Sequence, residues 1–133
     1  MSRSGYVDDY DEQGRFNLFR ANVDRSLGGK RGQAFLRELA SALDAMPVKE
    51  LIADELVQDG AVCALGAVAV ARKIDVSNLE PDDADAVAET FGIAAPMARE
   101  IVYENDGTGG HETPAHRWTR MRKWVSDHLE KGT

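Results

Sequence analysis

The side chains of this 133-residue sequence whose spacing could do chemistry stand in a few short clusters. His111, Glu112 and His116, in the run HETPAH, are metal-ligand types beside a glycine-rich loop. The zinc signature HExxH sets two imidazoles on one helical face. Here the second histidine comes one residue late and Pro114 interrupts the run, so exposed polar residues next to a loop are the plainer reading. Cys63 is the one thiol. A catalytic thiol needs a positioned base, whereas Cys63 stands among Ala, Val and Leu and reads as a small buried hydrophobe. The run LGGKRG, Leu27 to Gly32, has glycines and a lysine but neither P-loop spacing nor a Ser or Thr after Lys30. Lys30 and Arg31 at a helix start can hold an anion; the alternative is a helix stop and restart. No nucleophile–base pair and no metal set emerges, so no enzyme activity, cofactor or metal is expected.

Three further groups suit binding. In AVAETFGIAAPMAREIV, Ala88, Gly92, Ile93, Ala98 and Ile101 fall where a helix-turn-helix wants a small residue, a turn glycine and apolar anchors. Of the positions that would face base edges, Ala94, Ala95, Pro96, Arg99 and Glu100, only Arg99 offers a good donor. Just before them, Asp82, Asp83, Asp85 and Glu89 would lie where phosphates run. Those four carboxylates are themselves the candidate contact for a basic protein surface; a solvated acidic face is the alternative. In the last helix, Arg117, Arg120, Arg122 and Lys123 accompany Trp118 and Trp124, a mixture that can bind nucleic acid. Equally, the tryptophans fit a core stripe and the cations can pair with acids of the same chain.

Charge is unevenly distributed. Residues 44–106 hold four Lys/Arg against fourteen Asp/Glu, while both flanks are weakly basic and the whole carries −7. Nonspecific phosphate binding by the middle is disfavoured. The polar, acidic opening MSRSGYVDDYDEQGRF does not read as a secretory signal. The apolar run Ala61 to Ala71 is well short of the roughly 20 residues a membrane span needs. A bacterial-type cytoplasm is the expected compartment, with no membrane association.

The elements that must position these groups follow from periodicity. Residues 1–11 read as an N-terminal arm tacked down by Tyr6, Val7 and Tyr10, and 12–130 as a single helical domain. Phe16, Phe19, Val23 and Leu27 recur at helical spacing in a helix over 12–27, ended by Gly28-Gly29. A second helix over 30–45 buries Phe35, Leu36, Leu39, Ala42 and Leu43 and stops at Pro47; the short linker predicts that the two lie antiparallel. Residues 48–59 fit either a helix or short strands. A small hairpin near 51–63, turning at Asp59-Gly60, is favoured. The nearly uncharged window 59–73 is expected at the centre, as a helix over 64–73 with most faces covered. Helices over 81–91 (Pro81 in the first turn), 93–105 and 113–130 complete a mainly α bundle of about six helices. The loop 106–112 is expected to be its most mobile part.

Three segments, GKRGQAFLRELASALDAMP, LIADEL with DGAVCALGAV, and FGIAAPMAREIVYEND, together resemble a family of small phage- and prophage-encoded proteins of unknown function. The opening GYVDDYD fits the same pattern. More loosely, the Cys-Ala-x-Gly-Ala helix start and the Asn-Asp before a loop look like a broader bacterial family, also without a known activity. The resemblance implies an origin in a virus or mobile element and transfers no functional residue. The expected function is therefore that of a non-enzymatic phage accessory protein that binds a host or defence protein, such as a nucleic-acid-handling complex, through its acidic surface. The alternative is a DNA-binding regulator that uses residues 88–102.

Overall fold

A computed structural model describes residues 13–107 and 112–129, with side chains from residue 20 onward. Six helices and one hairpin follow in order: α1 (Gln13–Gly28), α2 (Lys30–Ala45), β1 (Val57–Gln58), β2 (Ala61–Val62), α3 (Ala64–Arg72), α4 (Ala84–Phe91), α5 (Ala95–Asp106) and α6 (Pro114–His128). The expected arm, the side chains of Phe16 and Phe19, and the loop tip at 108–111 lie outside the described residues.

Two helices, α2 and α5, share the centre, and α3, the helix of the uncharged window, packs against both. The first of them also packs against α1 and α6, and Leu36, Leu39 and Leu43 on its inner stripe are fully buried. Each such leucine contributes roughly 1.5–3 kcal/mol by leaving water. Met97 and Ile101 of α5 and Met121 and Val125 of α6 complete the same core. The approach of α2 to α1 depends on a glycine: a Cβ on Gly32 would lie 1.8 Å from the Ser26 carbonyl oxygen. Next to it, the buried Gln33 amide donates one proton to the Leu27 carbonyl and the other to the His128 carbonyl, closing the last turns of α1 and α6 together. The helix stops at Ala45. Met46 precedes Pro47 and is extended, at φ −64° and ψ 129°, because the proline ring disfavours helical backbone before it.

The hairpin forms at the expected place. Asp59 (φ +52°) and Gly60 (φ +86°) are both left-handed, which is the type I′ turn that matches strand twist. The pairs are Val57 with Val62 and Gln58 with Ala61. Directly after it, Cys63 caps α3 with its sulfur, which accepts the Gly66 N–H at 3.4 Å. A Cβ on Gly66 would sit 2.0 Å from the Leu56 carbonyl oxygen, so the close approach there is to the hairpin backbone and not to a neighbouring helix.

Two expectations are corrected. Residues Ala64 to Ala69 are buried, but Val70 is 62% exposed and Ala71 is exposed too, so the last turn of α3 is uncovered. And α4 begins at Ala84, not near Pro81, because the Asp83 carboxylate accepts the Ala86 N–H and fixes the start there.

Candidate functional site

The fold commits most of the side chains that sequence patterns single out. Cys63 is buried, and burial pushes its thiol up to about 12, so it carries negligible thiolate at neutral pH. Glu112 and His116 are brought together at 2.6 Å, but Arg120 grips the same carboxylate through two bonds of 2.7 and 2.9 Å. Those Arg120 bonds, with His116 and Arg117 beside them, hold the Glu112 carboxyl down at about 2. Two guanidiniums next to the acid oppose a cation, and among the described residues no group of His, Cys, Asp and Glu is arranged to hold one. His111 lies outside the described residues.

The cations of α6 turn inward or onto neighbours. Arg117 is buried and donates to the Leu51 carbonyl. Arg120 also reaches the Glu104 and Asn105 carbonyls at the end of α5, where a cation meets the helix's negative pole. Arg122 forms a fork with Asp44, and Lys123 pairs with Asp127. Trp118 donates its indole N–H to the Leu43 carbonyl. At the start of α2, Gly32 rests on the Ser26 and Leu27 carbonyls of α1, and Lys30 and Arg31 are exposed.

The α4–α5 corner forms as the spacing predicts. Gly92 is left-handed at φ +76°, and Ala88, Ile93, Ala98 and Ile101 are buried. Ala95 opens α5, and Arg99 follows one turn later, half-exposed. Glu100 does not face outward: it is 4% exposed and meets Arg20 of α1 at 3.0 Å. Burial, with Glu104 adding, raises the Glu100 carboxyl to about 7, and the half-exposed Arg20 does not offset it. Along α4, Asp83 is used as the cap, while Asp82, Asp85 and Glu89 are exposed.

Sequence patterns missed two features. One is a polar clamp. Asn105, 2% exposed, accepts the Ala64 N–H at 3.0 Å and donates to the Ile52 carbonyl at 2.9 Å, and Asp106 accepts the Asp54 N–H. The Asn-Asp pair at the end of α5 thereby fixes both the start of α3 and the segment before the hairpin. The advance sign of it is the Asn-Asp pair itself, placed just before a loop.

The other is an apolar groove of about 530 Å³. One wall is the end of α2, with Ala42 and Ala45; the other is α3, with Ala67, Val70 and Ala71. The segment after α2, from Met46 to Val48, and the tip of the hairpin close its ends. Val48 and Val70 are 59% and 62% exposed there. Glu50 is the one ionisable residue of the lining.

Comparison with known protein families, with curated proteins and with solved structures finds no match. Among the described residues, no helix is long and apolar enough to cross a membrane.

Proposed function

We propose that this chain is a non-enzymatic binding protein that docks another protein in the groove between α2 and α3. The observation that carries the reading is the pair Val48 and Val70, both about 60% exposed on the borders of one apolar depression. Contiguous exposed apolar surface is costly to keep, and on soluble domains it commonly marks an interaction site. The chemistry-bearing side chains add indirect support, because Cys63, Glu112, Arg117 and Arg120 are each committed to internal bonds. The carboxylates Asp82, Asp85 and Glu89 supply the long-range attraction for a basic partner, and the groove supplies the burial. With the phage resemblance, the reading becomes an accessory protein that acts on a host or defence protein in the bacterial cytoplasm.

A photo-cross-linking residue at position 70, used in cells of the source organism, tests this. A discrete protein adduct is expected at position 70 and not at the exposed Arg31. Equal adducts at both positions, or adducts to nucleic acid alone, would overturn it.

The second reading, DNA binding by residues 88–102, is favoured by the turn at Gly92 and the half-exposed Arg99. Charge reversal at Asp85 and Glu89, which spares the Asp83 cap, separates the two. It slows capture of a basic protein but strengthens DNA binding by removing repulsion from phosphates.

A further inference from the structure

The groove has a shape and a charge that specify more than apolar contact. Its two long walls repeat at helical spacing, Ala42 and Ala45 on α2, Ala67, Val70 and Ala71 on α3. Alanines let a backbone come close, and two helical walls offer ridges into which a third helix can set its own side chains. An extended strand would instead want an edge of unpaired N–H and C=O groups. The outer edge of β2 is already engaged, since the Val62 carbonyl accepts the Ile52 N–H at 2.9 Å.

One residue of the groove's lining, Glu50, is charged, and the exposed Lys73 stands beyond the lining at the end of α3. Glu50 is exposed in the lining, and Asp59 adjoins Gly60 at the hairpin tip. Lys49, next in sequence to Glu50, is directed elsewhere. The Lys49 ammonium is bonded to the Asp44 and Met46 carbonyls at the end of α2 and lies 5.6 Å from the centre of the Trp118 ring. Arg72, at the end of the other wall, is turned to Glu38 and to the Phe91 carbonyl. The chain's first twelve residues carry Arg3 against Asp8, Asp9, Asp11 and Glu12, so like charge argues against that segment as the occupant.

We propose that the groove takes a short amphipathic helix of a partner protein, whose apolar stripe is flanked by a lysine or arginine that pairs with Glu50. This rests on the reading of the groove as the docking site. It adds the partner's secondary structure and the sign of its charge, and it makes Glu50 a specificity residue.

The test uses the whole chain and three synthetic fluorescent peptides of equal length: a leucine-striped helix flanked by lysines, the same helix flanked by glutamates, and a lysine-matched scramble without the stripe. Fluorescence anisotropy is expected to show the lysine-flanked helix binding at least tenfold more tightly than either control. Glu50→Lys should reverse the preference between the first two peptides, and Val70→Asp should abolish binding of both. Equal binding of the lysine-flanked helix and its scramble would reduce the effect to charge alone and overturn the proposal. So would a concentration-dependent dimer in sedimentation that Val70→Asp dissolves, since a second copy would then be the occupant. If no peptide binds but a protein adduct forms at position 70, the docking site stands and the helix assignment fails. If neither appears, both fail.

Discussion

The two ends of α3 are built from nearly the same residues and behave oppositely. At its start, Ala64 to Ala69 are sealed: sulfur caps the first turn, Gly66 lies on the Leu56 carbonyl, and Asn105 holds the Ala64 N–H. At its end, Val70 and Ala71 look into an open groove. Composition barely separates them, because Ala and Val make up most of both and the start adds only Leu65 and Gly66. What differs is the neighbour. The hairpin, α2 and the end of α5 converge on the first turns, and no element among the described residues covers the last. An apolar helix is thus half core and half surface, and the same substitution should have different consequences at its two ends.

The largest effect is expected at Gly66. Its missing Cβ faces backbone, which cannot swing aside, so Gly66→Ala should cost about 3 kcal/mol in chemical denaturation, the upper part of the overpacking range. A variant as stable as the parent would remove the reason for calling this end sealed. Next is Asn105→Ala, which strands the buried Ala64 N–H and the Ile52 carbonyl and should cost about 2 kcal/mol. Cys63 should resist a thiol reagent in the native protein and react only at the rate of unfolding, given its burial and raised thiol. Rapid labelling at neutral pH would mean that the sealed end opens. At the other end, Val70→Asp should change stability by less than about 0.5 kcal/mol, as surface substitutions do, while removing partner binding.

Two further effects show only as pH is varied. The Glu112 carboxyl is lowered in the folded chain to about 2 from an ordinary 4.5, chiefly by Arg120. Its stabilising contribution is present above pH 4.5 and is lost as pH falls towards 2. Glu100 has the opposite sign. Its raised value means that folding binds the proton more tightly, so this group makes stability fall as pH rises from 4.5 to about 7. Glu112→Gln and Glu100→Gln should each flatten one limb of the stability–pH curve measured by thermal unfolding. If both variants flatten the same limb, the burial of Glu100 is misjudged.

Much of the architecture was legible before any coordinates. The bounds of α2 follow from its apolar period and from Pro47, and Asp59-Gly60 announces its own turn type. The start of α4 was not legible, because Pro81 and Asp83 are both helix-start signals and only the bond from Ala86 shows which of them acts. The extent of the central window was legible only in part: a low-charge window reports what could be buried, whereas what is buried depends on where neighbours converge, and α2 and α5 cover α3 from Ala64 to Ala69 but not at Val70. As for the candidate site, the exposure of Asp82, Asp85 and Glu89 was foreseeable from charge. The groove was not, since Val48 and Val70 look like any other apolar residues until the fold leaves them uncovered.

The Gln33 amide has a consequence for the order of events when the chain folds. It joins the end of α1 to the end of α6, a carbonyl 95 residues further along. As the polypeptide emerges from the ribosome, α1 and α2 can pair at once, but the side of α2 that α6 covers stays wet until residue 128 has been synthesised. Closing so long a loop is entropically slow. The side of α2 that faces α6 is therefore covered late, and for most of synthesis the nascent chain carries a sticky helix.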